Sequence, residues 1–469
     1  GNYPVGTDNV ALGNTALDSN VSGVRVTAIG ADALTANTAS DNTAIGARAM
    51  ASTTSGANNV AVGRDSMFTN STGAENVSVG LNTMYYNTTG ANNTALGRSA
   101  LQANTTANNN TAVGYEALKD NTTGAEVTSV GYVAATNNTT ANFTTAIGSS
   151  SLYKNTTGAA NVAVGAAPLY NNTTGANNIA IGRQALFNNT TASNNTAVGY
   201  QSLYANTTGT NNVALGYSAG AALTTGSSNI LIGSNTGDAL TTASENTAVG
   251  HFAMSNNVLG AKNVAIGTST LSATNPATAV DMYNTAVGFS AGNAVTTGTY
   301  NTLIGGLAGD AITTGVRNTT TGYGSGGQLT TGSYNVALGM STLAATTTQS
   351  NNTAVGYEAL NQNTASDNTA LGYFVLNVNT TGRINTAVGK NSMLANTTGG
   401  DNSAFGGLTL DANTTGNSNT ALGYASLSAN TTANNNTAVG SLALHSNTTA
   451  SNNTAVGYQS LYANTTGDS

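Results

Sequence analysis

The 469-residue chain contains no cysteine, which removes both a disulfide framework and a thiolate metal site. Tryptophan is also missing, and charged residues amount to only 6%, against about a quarter in an ordinary soluble domain. That scarcity argues against a compact enzyme of this length. The eleven Lys and Arg are scattered, so there is no basic stripe to engage nucleic acid or anionic lipid. No run of about 18 apolar residues is present, so this segment has no helical membrane span. No charged-then-apolar leader opens the chain at Gly1, and the expectation is a mature segment or one anchored by something outside it. With a net charge of only −7 and 39% hydrophobic residues at regular places, disorder is rejected as well. Three prolines in the whole chain leave extended strands unobstructed.

What the chain has in abundance is one sentence of seventeen residues. It reads Asn195-Thr196-Ala197-Val198-Gly199-Tyr200-Gln201-Ser202-Leu203-Tyr204-Ala205-Asn206-Thr207-Thr208-Gly209-Thr210-Asn211, and it returns almost verbatim from Asn453 to Gly467. The Gly that closes each Asn-Thr-Ala-Val-Gly element marks twenty-seven coils from Gly13 to Gly457. Of the twenty-six spacings, twenty-three are 17, two are 16 (ending at Gly46 and Gly372) and one is 21, between Gly267 and Gly288. Such a period means stacked repeats. Counting the leading Asn as coil position 1, positions 2 and 4 are almost always Thr or apolar, which is the period of a strand. We therefore expect an all-β parallel β-solenoid of about 27 coils, a single continuous body over residues 1–469. It is expected to be uncapped at both ends, at Gly1 to Gly13 and Asn464 to Ser469, as a section of a longer fibre or a subunit that stacks end to end. The one interruption is a loop insertion near residues 272–283, around Asn275-Pro276. Positions 6 to 10, as in Tyr200 to Tyr204, read as a second extended piece.

Comparing the units yields an orientation. Position 9 is Leu or Met in twenty-one coils but Gly at Gly220, Gly237, Gly292, Gly309 and Gly326. In those same five coils position 12, usually Asn, becomes Leu223, Leu240, Val295, Ile312 and Leu329. The exchange conserves volume if both positions face the interior. Asn104, Asn121, Asn155 and Asn206 are then inward and must hydrogen-bond to one another and to the turn backbone. The Asn-Thr-Thr triplets read as glycosylation sequons, but an inward Asn is a poor acceptor. Positions 2 and 4 are expected to face inward as well. The small residues of position 3 then form a smooth outer row that suits close approach of another chain.

Several patterns imitate chemistry. Gly216-Tyr217-Ser218-Ala219-Gly220 and Gly288-Phe289-Ser290-Ala291-Gly292 match a nucleophile elbow, yet an elbow needs a strand, a helix and a His partner, and the only histidines are His251 and His445. Gly322 to Gly327 resembles a dinucleotide fingerprint with no helix pattern after it. The Asp and Glu lack the spacing of calcium-binding rolls. We therefore expect no enzyme, with no catalytic, cofactor-binding or metal-binding residue. Tyr at position 6 recurs from Tyr115 to Tyr458, and stacking between coils is the preferred reading over an outward binding row. Rows of Thr raise ice binding as a distant alternative, which an inward position 2 argues against.

Elements such as Asn59-Val60-Ala61-Val62-Gly63, Asn161-Val162-Ala163-Val164-Gly165 and Asn263-Val264-Ala265-Ile266-Gly267 resemble the head repeats of YadA-like trimeric autotransporter adhesins, and similar repeats occur in phage tail-fibre proteins. The resemblance covers essentially the whole chain, whose unit is longer than the family's usual one by the Asn-Thr-Thr-Gly turn. It implies a left-handed parallel β-roll, three chains side by side, displayed outside the cell or on a virion. The expected function is a non-enzymatic extracellular structural or adhesive fibre, with a phage tail fibre as the alternative. The expected partners are further copies of the chain and a host surface or glycan, with no nucleic acid.

Overall fold

The protein, described here from a computed structural model, is defined over residues 6–467 and falls into two compact units divided between Asn229 and Ile230. The terminal stretches read above as uncapped ends lie partly outside the described residues, at 1–5 and 468–469. Each unit is a parallel β-solenoid with a 17-residue repeat and, among the described residues, no helix. The first holds thirteen three-residue strands, from Val10–Leu12 to Val213–Leu215, and the second fourteen, from Ile230–Ile232 to Thr454–Val456. Within each unit the strands pair in register with their equivalents one coil on, as in Thr196↔Val213. The shortened coil keeps this register, Thr353 opposite Thr369, and so does the lengthened one, Val264 opposite Thr285. Additions and losses are thus absorbed in the turns, since a slip of one residue would exchange the two faces of the strand.

The strand face is the reverse of the expected one. Ala197 is buried while Thr196 and Val198 on either side are half-exposed, and that pattern holds in strand after strand. Position 3 therefore points into the coil, and positions 2 and 4 point out. The smooth row of small residues is core, not an outer contact surface. The rest of the interior comes from positions 8 and 9, so that Ala354, Ala359 and Leu360 pack on Ala370, Val375 and Leu376 of the next coil.

Two adjacent residues, 8 and 9, both face inward because positions 6 to 10 are not extended. Gln201 has φ 53° and Leu203 φ 49°. Left-handed residues at positions 7 and 9 bend the chain through a run of turns, correcting the second extended piece. A non-glycine residue in that region costs roughly 1–2 kcal/mol. Full burial of the Leu, at about 2 kcal/mol, offsets it. The backbone stays paired, since the Leu203 N–H donates to the Ala219 carbonyl at 2.9 Å. Position 5 admits no side chain at all: Gly114 has φ 134° and a Cβ there would lie 2.3 Å from the Gly131 carbonyl oxygen.

The position 12 asparagines form the expected internal ladder. Asn87 Nδ2 donates to Asn70 Oδ1 at 2.7 Å, Asn104 to Asn87 at 2.7 Å and Asn189 to Asn172 at 2.7 Å. The same amides also hold the turn, Asn87 Nδ2 reaching the Gly90 carbonyl at 3.0 Å. A second ladder, unforeseen, runs through position 1. The Asn93 N–H donates to Asn76 Oδ1 at 3.0 Å, and Asn76 Nδ2 donates to the Gly90 carbonyl at 2.9 Å. One turn carbonyl thus collects two buried amides. Thr of position 13 joins the next coil, Thr105 Oγ1 to the Thr122 carbonyl at 3.1 Å. These contacts explain why Asn-Thr-Thr-Gly recurs: buried amides are tolerated only when satisfied. The five exchanged coils also follow expectation, with Leu223, Leu240, Val295, Ile312 and Leu329 fully buried and their glycines at φ between 54° and 60°.

Candidate functional site

The outward strand face is a regular surface in each unit. Its position 4 row is aliphatic in almost every coil, and residues such as Ile147 and Ile181 in the first unit, or Ile304 and Leu422 in the second, remain 39–48% exposed. Position 2 adds Thr and Val beside it. Parallel in-register pairing carries the row from coil to coil at about 4.8 Å, and it is the in/out alternation of the strand that places it outside. A row of neighbouring exposed aliphatic side chains, where it forms a contiguous patch, marks a contact surface.

Aromatic side chains form three further rows. At position 6, Tyr115 stacks on Tyr132 at 5.4 Å and Tyr200 on Tyr217 at 5.2 Å, with Arg98 and Arg183 over the outer ring of each pair. This is the expected inter-coil stacking. At position 10, Tyr153, Tyr170, Phe187 and Tyr204 make an unbroken stack with spacings of 5.2, 5.2 and 5.4 Å, a row that sequence reading passed over although its aromatics recur at the same 17-residue period. The third row lies at position 17 of the second unit: Lys262, Tyr283, Tyr300, Arg317 and Tyr334. Tyr283 and Tyr300 stack at 5.3 Å, Lys262 covers the outer side of Tyr283, and Arg317 lies over both Tyr300 and Tyr334.

This third row adjoins the insertion. Gly260–Ala261 pairs with Val280–Asp281, a two-stranded ladder separate from the main sheet, and the Met282 side chain is buried beneath it. Beside the ladder opens a concavity of about 740 Å³, lined among others by Thr242, Leu259, Ala279, Asp281, Tyr283 and Tyr300. The Lys262 ammonium lies 2.7 Å from Asp281 Oδ2 and 3.2 Å from the Tyr283 hydroxyl. The hydrogen bonds to Asp281 and then to Tyr283 raise the Lys262 pKa above its ordinary value, so the amine is charged throughout the neutral range.

The chemical mimics do not converge. Ser218 and Ser290 occupy position 7 of ordinary coils, at φ 53° and 52°, and their N–H groups donate to Tyr200 and Thr268 of the preceding coil. His251 packs on Phe252 and His445 stacks on Tyr462 at 5.0 Å. Gly322 to Gly327 forms a thin coil, in which a Cβ on Gly324 would meet nothing within 4 Å. Among the described residues no group of three His, Asp or Glu is placed to hold a metal ion, and no helix is long and apolar enough to cross a membrane. Two acids elsewhere are shifted as members of exposed corner pairs. The guanidinium of Arg25 holds Asp41 below the usual carboxylate range, and that of Arg383 does the same for Asp367.

Fold and surface define a parallel β-solenoid repeat protein. No protein-family model matches the chain, and no curated protein matches it.

Proposed function

We propose that the chain is a non-enzymatic structural or adhesive fibre displayed outside the cell, built from several copies packed side by side. The observation that carries this reading is the outward aliphatic row. A surface that keeps Val, Ile or Leu at position 4 of nearly every coil, in a chain otherwise dominated by Asn, Thr, Ala and Gly, is matched to a second surface of its own kind. The YadA-like resemblance of the Asn-Val-Ala-Val-Gly elements supports three copies, and a left-handed coil with it. A phage tail fibre is the alternative within the same class, and the genes neighbouring the coding sequence distinguish the two. The ladders suit such a task, because stacked buried amides stiffen an array without any site that must move.

The test is the mass in solution by light scattering. Three copies are expected, with Ile147→Asp and Ile181→Asp together shifting the species toward single chains while strand content by circular dichroism is retained. A single-chain wild type would sink the proposal. One observation favours a second reading, ice binding: Thr of position 2 faces outward, as in Thr94, Thr111, Thr128 and Thr145. The accompanying aliphatic row makes self-association the better account. Inhibition of ice recrystallisation at micromolar protein would reverse that preference.

A further inference from the structure

We propose that the concavity beside the insertion is a saccharide-binding site, in which Thr242, Asp281, Tyr283 and Tyr300 supply the hydrogen bonds. Three observations converge on it. The first is its place: it lies at the one coil that is four residues longer than the rule, and its volume of about 740 Å³ falls in the range of small-ligand clefts. The second is the chemistry of its wall. Hydroxyls both donate and accept, and a carboxylate accepts, which is the complement of a polyol. Asp281 is held in place by the Lys262 ammonium at 2.7 Å, so the cleft offers an oriented acceptor with little net charge.

The third observation is a pair of exposed tyrosines on one edge. Position 17 is a left-handed corner in the coils of both units, occupied often by Asn, as at Asn58, Asn92, Asn109 and Asn194, and in other coils by bulky residues such as Phe143 and Ile384. Beside the cleft the same corner holds Tyr283 at φ 54° and Tyr300 at φ 59°, 44% and 50% exposed. Their ring faces are covered by one another, by Lys262 and by Arg317. The rings therefore present edges and hydroxyls to the cleft, and recognition proceeds by hydrogen bonding along a row, not by stacking of a sugar on a face.

That the saccharide belongs to another cell's surface rests on the adhesive-fibre reading; the site does not. The full-length chain is applied to an array of bacterial and mammalian surface oligosaccharides, and the best-bound one is titrated by calorimetry against wild type, Tyr283→Asn, Tyr300→Asn and the double variant. Asn is the residue other coils use at this corner, so folding is preserved. Expected are retention of at least one oligosaccharide, a loss of affinity of tenfold or more in the double variant, and an equal or higher Tm. Tyr132→Ser, on the separate position 6 row of the first unit, should bind as wild type does. The proposal is overturned if no oligosaccharide is retained, if the double variant binds equally well, or if its Tm falls by several degrees, which would make the tyrosines structural. The solution mass is read on the same samples: single chains that still bind through the tyrosines would refute the fibre and leave the site standing.

Discussion

The coils from Asn70 to Asn206 and those from Val295 to Leu329 enclose the same kind of interior by two different means. In the first group Leu or Met sits at position 9 in all but one coil, pays for a left-handed backbone by its burial, and leaves room at position 12 for an amide. That amide is satisfied by its neighbours, as Asn138 Nδ2 is by Asn121 Oδ1 at 2.9 Å. In the second group Gly takes the left-handed position without strain and the apolar side chain moves to position 12. An Asn coil therefore depends on the coils beside it, whereas a Gly coil completes itself. Interruption is costly only to the first kind. Asn206, the last amide of its ladder, is followed by Leu223, and its Oδ1 is buried without a partner. Asn257, followed by Thr274, turns its Oδ1 to its own turn instead, accepting from the Gly260 N–H at 2.8 Å. The self-sufficient coils Val295, Ile312 and Leu329 follow directly on the insertion, where the position 12 ladder does not reach them, although the position 1 ladder runs on through Asn284, Asn301 and Asn318.

The sharpest way to break this comparison is to put the second solution into the middle of the first. Asn121→Leu places a second large side chain beside Leu118 and removes the amide that donates to Asn104 Oδ1 and to the Gly124 carbonyl. Overpacking contributes about 1–3 kcal/mol and an orphaned buried acceptor about 1–3 kcal/mol. A local loss of roughly 2–6 kcal/mol is expected, read as faster amide exchange across the coils around residue 121. Adding Leu118→Gly in the same chain should recover the overpacking part and not the orphan, so the double variant falls between. Equal exchange in single and double variants would mean that volume is not what couples the two positions.

A smaller effect is expected at the edge of a ladder. Gly220→Leu with Leu223→Asn converts a Gly coil to an Asn coil and gives Asn206 Oδ1 its donor, but the Oδ1 of the new amide becomes the terminal acceptor and the orphan moves one coil along. Stability should change by no more than about 1 kcal/mol, while either substitution alone costs 2 kcal/mol or more by crowding or by an unfilled cavity. Thermal unfolding of the three variants checks this.

The exchange between positions 9 and 12 was legible in the sequence because volume is conserved whatever the backbone does. The same logic, carried one step further, would have oriented the strand. Leu231 and Leu303 are the only large residues at position 3, and both occur in coils whose position 9 is Gly. A Cβ on Gly237 would lie 2.8 Å from both Leu231 Cδ2 and Leu240 Cδ1, so position 3 shares that interior. Strand alternation alone is symmetric, and apolarity pointed to the wrong face because the outer face is itself apolar. The left-handed residues at positions 7 and 9 were not legible, since Leu has no preference for that region and is held there by burial and by the neighbouring coil. The cleft was visible only as an irregular spacing; which walls the insertion would face depended on pairing between Gly260–Ala261 and Val280–Asp281.

The smallest effect separates the two kinds of coil by pH. Position 10 after a left-handed Gly carries Asp238 and Asp310, and partial burial raises the pKa of both above the ordinary value, with Asp238 Oδ1 buried and unpartnered. A folded pKa above the unfolded one means that the folded state binds more protons in the interval between the two values. Stability therefore rises as pH falls through the raised folded pKa toward the unfolded value of about 3.8, and is flat below it. At neutral pH each carboxylate weakens its own coil. Asp238→Asn and Asp310→Asn should raise the Tm slightly at pH 7, by an amount worth about 1 kcal/mol or less, and this gain over wild type should vanish near pH 3.5. A gain that persists at pH 3.5 would place its origin in hydrogen bonding of the new amide and not in the charge, and the Gly coils would then differ from the Asn coils in packing alone.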